Sequence, residues 1–144
     1  MMNIIKNSKG KLLLCASALL LSFSSLANVA VVVNSANSAA IDEGDISRIF
    51  LGKVKAFSSG EKITLVNLEY NHAVRNEFEE KVLNKSASQV KAYWSKLMFS
   101  GKGKPPEELA DDKAILAFIA ANPGAIGYIA ESSVDASVKV IKTY

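Results

Sequence analysis

Few side chains of this 144-residue chain are of the types and spacings that do chemistry. His72 is the only histidine, so a metal site built from several histidines is excluded. No serine stands in a Gly-x-Ser-x-Gly pattern, and no nucleophile–base pair or paired carboxylates of a cleft are evident. The sequence therefore predicts a protein that is not an enzyme and uses no cofactor or metal. His72, in a polar stretch, is more simply read as a surface residue.

The segment Gly101-Lys102-Gly103-Lys104 superficially resembles a phosphate-binding loop. It lacks the Gly-x-x-x-x-Gly-Lys-Ser/Thr spacing, and Pro105-Pro106 would block the helix that must follow such a loop. We expect a solvated basic loop rather than a nucleotide site. A contact to an acidic partner is the functional alternative for the same four residues.

The first 27 residues have the pattern of a secretory signal peptide. Lys6, Lys9 and Lys11 form a positive segment, and the apolar run Leu12–Phe23 is too short for a permanent membrane-spanning helix. Small residues at the −3 and −1 positions predict cleavage after Ala27. An N-terminal membrane anchor is the alternative. We expect a signal peptide over residues 1–27 and one periplasmic domain over residues 28–144.

Removal of this segment would change the composition of the chain. Its one cysteine, Cys15, would leave with it, so no disulfide or thiol chemistry is expected, and Leu14 argues against a lipoprotein site. Three of the 17 basic residues would also leave, and the rest balance the 14 acidic residues. The mature net charge is then about zero, which gives no reason to expect a nucleic-acid partner.

The mature sequence alternates predicted strands and helices. Buried strands are predicted at Val29–Val33, Ile63–Val66 and Ala125–Ile129, with a last strand within Val134–Val140. Helices are predicted after Asp42, from Val74 to Leu83, after a capping box at Ser86–Gln89, and after Asp111 or Asp112. The stretch Gly101–Pro106 is predicted to begin a loop. This order predicts an α/β domain in which helices flank a mostly parallel sheet.

Three stretches, in order along the chain, resemble one known family. They are Val29–Asn34 with Ile46–Lys53, the pair Arg75 and Phe78, and Pro123–Tyr128. The family is that of the periplasmic phosphate-binding proteins of ABC transporters. The first stretch resembles the segment that enters the second lobe, and the pair matches the end of a Ser-Gly-Thr-Arg-x-x-Phe motif. The third resembles a later helix–strand corner of that lobe.

The resemblance implies a single lobe of a type II periplasmic-binding-protein-like fold. It also implies a substrate-binding component of phosphate ABC transport, with phosphate or a related oxyanion as ligand and a membrane transporter or envelope protein as partner. Full members close two lobes over the ligand, whereas this sequence resembles a short, single-lobe variant. The Ser-Gly-Thr positions are His72, Ala73 and Val74 here, so the hydroxyl donors are gone and only Arg75 remains.

Carried over to this sequence, the family's ligand site falls at the start of the helix that is predicted to follow the strand Ile63–Val66. Its residues are Asn71, His72, Ala73, Val74 and Arg75. In such a site the free amides and dipole of a helix N-terminus face the anion, and an arginine adds a planar set of donors. The ordinary alternative is that Asn71 is only an N-cap and that Arg75 only pairs with Glu79 at i, i+4.

Two functions follow as hypotheses. The first is a phosphate- or oxyanion-binding domain of a transport or sensing system. The second is a non-enzymatic envelope interaction module that has lost ligand binding. One face of the helix after Ser86 is apolar and bears on the second hypothesis. This face either packs on the sheet or contacts a partner, which could be a second copy of the chain. Its residues are Tyr93, Trp94, Leu97, Met98 and Phe99.

Overall fold

The computed structural model describes residues 27–144, so nearly all of the predicted signal peptide lies outside the described residues. In chain order the elements are β1 (Val29–Asn34), α1 (Glu43–Phe50), β2 (Thr64–Leu68), α2 (Ala73–Lys81), α3 (Ala87–Phe99), β3 (Glu107–Leu109), α4 (Asp112–Ala121), β4 (Ala125–Ala130) and β5 (Val138–Thr143). A short 3₁₀ turn, Glu131–Ser133, joins the last two strands. Within residues 27–144, no helix has the length and apolar character needed to cross a membrane.

The five strands form one sheet in the order β3-β2-β4-β1-β5. β2 pairs in parallel with β3 and β4, whereas β1 pairs antiparallel with both β4 and β5. Four strands therefore run in one direction and only β1 is reversed. The predicted α/β class is confirmed; the sheet is mixed, because two of its four strand pairs are antiparallel. A buried apolar run looks the same in either strand direction, so the sequence pattern does not indicate the reversal.

β1 lies inside the sheet, as its continuous apolar sequence predicts. Val29–Val33 are completely buried. The strand ends at Asn34, whose side-chain amide donates to the carbonyl oxygens of Ile119 and Ala120 at 2.8 and 3.1 Å. This polar side chain thereby donates to two of the last carbonyls of α4, where the regular intrahelical hydrogen bonds end. It also fixes α4 against the strand that it covers.

The helices cover both faces of the sheet, and β4 shows which helix lies on which face. The ring of Tyr128 stacks on Phe78 of α2 with a centroid distance of 3.9 Å, and Phe50 of α1 meets the Tyr128 ring at an angle. The preceding residue, Gly127, instead faces Ile119 of α4. Because successive strand residues point to opposite faces, α1 and α2 cover one face and α4 covers the other.

Helix starts follow the predicted capping residues at three of the four helices. Asp42 and Asp111 each accept a hydrogen bond of 2.8 Å from an amide in the first turn of α1 and α4, respectively. Ser86 and Gln89 form the complete capping box at the start of α3. These side chains satisfy amides that a helix leaves without intrahelical partners, which is why their positions are readable from sequence.

Two strands depart from the sequence prediction. β3 falls in the stretch predicted as a loop, and β5 begins at Val138, within the predicted range, but continues beyond it to Thr143. β3 has only three residues, two of them exposed glutamates, so it shows no apolar alternation that would predict a strand. The position of β3 matters because it brings Glu108 beside β2.

We expect Gly127→Ala to lower the free energy of unfolding by about 1–3 kcal/mol through overpacking. A Cβ at Gly127 would lie 2.9 Å from Val66 Cγ2 and 3.1 Å from Ile119 Cδ1. Gly103→Ala is the matched control, because its Cβ would find its nearest atom, on Leu97, at 3.5 Å. Urea denaturation followed by circular dichroism measures both variants. Equal stabilities for the two variants would contradict the assigned packing of α4 on β4.

Candidate functional site

The candidate anion site lies at the carboxyl end of β2, where the chain turns into α2. The strand ends at Leu68 and the helix begins at Ala73. Because β2, β3, β4 and β5 run the same way, all of their carboxyl ends lie at this edge of the sheet. The start of α4 follows β3 at the same edge. The topology thus places two helix N-termini at one edge, as in sites that bind ligands at the ends of parallel strands.

The N-cap of α2 is His72, not Asn71 as predicted. His72 has an extended backbone, and its Nδ1 accepts a hydrogen bond of 3.2 Å from the amide of Val74. Asn71 has a φ of 66° and forms part of the tight turn before the helix. Asparagine tolerates this left-handed conformation better than most residues, which suits it to the turn rather than to the cap. The backbone amide of His72 also donates a hydrogen bond to the carbonyl oxygen of Glu69 at 3.1 Å, which fixes the residue that carries the capping imidazole.

Arg75 is buried and is bound by groups of the protein itself. Its Nε donates to Glu79 Oε1 at 2.7 Å, and its Nη1 donates to Glu108 Oε1 at 2.7 Å and to Leu68 O at 2.8 Å. Only 5% of the Arg75 side chain is exposed. The predicted i, i+4 pair with Glu79 is therefore present. Glu108 escaped the sequence analysis because it stands in the unpredicted strand β3.

These contacts set the charge of the site. Burial alone would lower the pKa of the Arg75 guanidinium, but the hydrogen bonds that it donates to Glu108 and Glu79 outweigh burial and raise the pKa above its ordinary value. The Arg75 guanidinium is therefore cationic at neutral pH. Two carboxylates surround this one cation, and Glu79 is itself almost fully buried. Within residues 27–144, Glu79 Oε2 has no hydrogen-bond partner.

The five predicted site residues are adjacent but do not all face the same way. Asn71 and Ala73 are exposed and His72 is half-buried, whereas the side chains of Val74 and Arg75 are buried. The donors that an external anion can reach are mainly backbone amides of the first helical turn, which lack intrahelical acceptors. The Val74 amide is already engaged by His72. The arrangement therefore offers an external anion backbone amides at the start of α2, whereas the guanidinium of Arg75 faces the interior.

A cavity of about 270 Å³ lies beside Arg75, between α3 and the start of β3. Its wall includes Tyr70, Arg75, Lys91, Trp94 and Glu108. The ammonium group of Lys91 lies 5.1 Å from the centroid of the Tyr70 ring, a cation–π contact. Lys91 was missed in the sequence because only the packing of α3 against α2 and β3 brings it here. It supplies an exposed positive charge in the wall of the cavity beside Arg75.

Tyr128 is a fully buried residue of β4 whose phenol lies near the charge of Arg75. Its hydroxyl donates to Asn67 Oδ1 at 2.8 Å, and its ring stacks on Phe78. Burial raises the pKa of the Tyr128 phenol well above its ordinary value, although the charge of nearby Arg75 acts in the opposite direction. At neutral pH the Tyr128 side chain is thus an uncharged, hydrogen-bonded phenol. Among residues 27–144, no three His, Cys, Asp or Glu side chains come together as a metal site.

We expect Arg75→Met to lower the free energy of unfolding by about 3–5 kcal/mol, because it leaves the Glu79 carboxylate buried without its donor. The double variant Arg75→Met/Glu79→Met should recover most of this loss. Arg48→Met is the matched control and should cost less than about 1 kcal/mol, since the Arg48–Asp45 pair is exposed. The measurement is urea denaturation at neutral pH. A single variant as stable as the double would show that the buried pair does not hold α2 in place.

The buried phenol predicts a loss of stability at alkaline pH. An unfolded tyrosine ionises near pH 10, whereas Tyr128 in the folded domain keeps its proton to higher pH because burial disfavours the phenolate. The unfolded state then binds fewer protons, so stability is full below pH ~10 and falls by up to about 1.4 kcal/mol per pH unit above it.

Denaturant midpoints measured between neutral and alkaline pH, with tyrosinate absorbance followed in parallel, check this expectation. Tyr128→Phe should flatten the pH dependence at the cost of about 1 kcal/mol from the lost hydrogen bond. Tyr144 also has a raised pKa because of burial, so some slope will remain in the variant. Identical slopes for the two proteins would exclude Tyr128 as the source.

The sequence matches no protein-family model and no curated protein. Solved structures do match. An ABC-type phosphate transport receptor from Vibrio cholerae is 23% identical, with a TM-score of 0.62, over 81% of this chain and 47% of the receptor. A Clostridium perfringens protein assigned as a phosphate ABC transporter substrate-binding protein, solved with bound phosphate, is 22% identical with a TM-score of 0.63, over 81% and 46%. PstS from Borrelia burgdorferi is 14% identical with a TM-score of 0.59, over 81% and 47%.

The chain thus spans about half the length of the solved structures that it matches. Sequence identities of this size establish a shared fold and not a shared ligand. The proteins matched are described as a transport receptor and as a substrate-binding protein of phosphate transport. The resemblance expected from the sequence is confirmed at the level of the fold. The described domain has the fold of one lobe of the phosphate-binding receptors of ABC transporters.

Proposed function

We propose that residues 28–144 form an oxyanion-binding domain of the phosphate-receptor type, which acts in the periplasm after removal of an N-terminal signal peptide. The main support is that the domain shares its fold with about half of each of several phosphate receptors, one of which was solved with bound phosphate. The start of α2 supports the proposal, because Ala73 is exposed at the carboxyl edge of the sheet and its amide, in the first helical turn, has no intrahelical acceptor. The ligand would be phosphate or a related oxyanion, presented to an ABC-type membrane transporter.

The geometry predicts weak binding by this lobe alone. One surface open to water cannot desolvate an anion, and the Arg75 donors Nε and Nη1 are already engaged by carboxylates and a carbonyl. The accessible donors are the amides of the first turn, with the Lys91 charge nearby. A tight site therefore needs a second surface, from a second lobe or from a partner, to close over the anion.

The second candidate function is an envelope interaction module without a ligand. The observation in its favour is again Arg75, whose charge is compensated inside the protein by Glu79 and Glu108. The predicted apolar face of α3 divides in a way that also fits this alternative. Trp94 is buried in the core, whereas Met98 and Phe99 are 57% and 97% exposed. Two adjacent exposed apolar side chains suit contact with an envelope protein or a second copy of the chain.

We expect calorimetry to detect phosphate binding in the millimolar range and Ala73→Pro to weaken it about tenfold, since this change removes one amide donor to a charged ligand. Proline is tolerated at the first helical position, and His72 before it already has the extended backbone that proline requires. Ala87→Pro makes the same change at the first position of α3, after the extended Ser86, and should leave binding unchanged.

The same titrations separate the two candidate functions. If no heat appears at millimolar phosphate or sulfate, and neither anion raises the melting temperature of the domain, oxyanion binding by this lobe is excluded. Capture of the same envelope partner with and without phosphate would then favour the interaction module. Equal losses in Ala73→Pro and Ala87→Pro would place the anion somewhere other than the start of α2.

A further inference from the structure

A second groove lies at the opposite end of β2 from the candidate anion site. Its volume is about 620 Å³, and it opens beside Thr64 and Leu65, the first residues of β2. β3 pairs with β2 only over Val66–Leu68, so the sheet edge beside the groove is not covered by a strand pair. Segments 52–55 and 102–107 form the two sides. The groove therefore includes most of the basic loop that the sequence analysis set aside.

Positive charge is concentrated on the walls of this groove. Four lysines line it, Lys55, Lys62, Lys102 and Lys104, together with a single carboxylate, that of Glu107. In the part of the chain that the structure describes, none of the four forms a salt bridge. All four are exposed. In a domain whose acidic and basic residues balance, four uncompensated lysines around one groove indicate a negatively charged ligand.

The floor of the groove is apolar. Trp94 and Leu97 of α3 and Ile63 before β2 contribute to it, and Pro105 and Pro106 complete the side next to β3. A ligand that fills this groove must place an apolar group on the floor while it keeps negative charges near the lysines at the sides. A purely polar anion would leave the floor without a partner.

The donor chemistry separates a carboxylate ligand from a phosphate ligand. Among residues 27–144, the lining contains no arginine and no helix N-terminus, the two groups that hold phosphate through several donors at once. Lysines are point charges spread along the sides, which suits carboxylates spaced along a chain. Trp94, the one aromatic residue of the lining, is only 6% exposed and offers no free face on which a base could stack.

We propose that this groove binds an acidic peptide segment of a partner protein, with an apolar side chain on the floor and carboxylates at Lys55, Lys62, Lys102 and Lys104. We choose an acidic peptide because its carboxylates complement the positive charge of the four lysines. The site differs from the candidate anion site in its location and in its ligand. The groove and the cavity beside Arg75 share only three lining residues among those described, Trp94, Pro105 and Pro106.

Trp94 gives the experiment a built-in reporter, because it is the only tryptophan of the chain and lies in the groove floor. The purified protein is titrated with a short peptide of Glu-Glu-Leu repeats while tryptophan emission is recorded. We expect a saturable change in emission with an affinity that falls as salt rises. A peptide of Gln-Gln-Leu repeats should give no saturable change. Saturable binding of the neutral peptide with the same affinity would overturn the charge argument.

Charge reversal tests the lysines one at a time. Lys62→Glu and Lys104→Glu should each weaken the acidic peptide by about threefold to tenfold, the effect of one partly exposed charge pair. Lys113→Glu makes the same change at an exposed position of α4, which lies outside the groove, and should have no effect. Equal effects at all three positions would overturn the groove as the site.

Two further probes decide between ligand classes. Polyphosphate or an oligothymidylate that binds more tightly than the acidic peptide at the same ionic strength would overturn the peptide assignment. Inorganic phosphate at constant ionic strength should not displace the peptide, and Ala73→Pro should not change its affinity. Displacement by phosphate would show one shared site instead of two, and would leave the separate groove without support.

Discussion

The buried guanidinium of Arg75 ties three elements of this domain together. From α2 it reaches the last carbonyl of β2 and the Glu108 carboxylate of β3, and it pairs with Glu79 one turn further along its own helix. Such a charge is tolerated inside a protein only when its donors are satisfied, so the positions of these elements constrain one another. Because of the same contacts, Arg75 points toward the interior, although an anion site at this edge would use this arginine. The structural role of Arg75 and its recognition role thus compete for the same donors.

The parts of the fold that were predictable from the sequence are those with local causes. The run Val29–Val33 is buried on both faces because it lies within the sheet, and the caps at Asp42, Ser86 and Asp111 satisfy amides a few residues away. Each of these signals lies within one element. A pattern of this kind reports burial and helix ends without reference to the rest of the chain.

The parts that were not predictable depend on contacts between distant segments. Glu108 reaches Arg75, 33 residues away in sequence, only because a strand of three residues pairs with β2. Lys91 approaches the candidate site through the packing of α3, and no local pattern marks it. The cap at His72 was missed for a different reason. Asparagine is the commoner cap, but here Asn71 is needed in a left-handed turn, and the imidazole takes its place.

The domain divides its charges between two ends of one strand. The carboxyl end of β2 holds a guanidinium compensated by two carboxylates, whereas the amino end is flanked by four uncompensated lysines. An overall charge near zero therefore conceals a strongly polar arrangement. Anionic groups of different kinds would be drawn to different ends, since a compact oxyanion needs convergent donors and an extended acidic chain needs spaced charges.

The reversal of β1 has a consequence for how this domain connects to anything else. Because β1 starts where β5 finishes, the two backbone ends are hydrogen-bonded to each other, Val29 N to Tyr144 O at 3.1 Å and Tyr144 N to Val29 O at 2.9 Å. Neighbouring ends are the geometry that allows a domain to be circularly permuted or inserted into a loop of a host protein. Both ends also lie at the edge where α2 begins. Any polypeptide tethered there meets that edge at a high effective concentration and does not have to find it by diffusion.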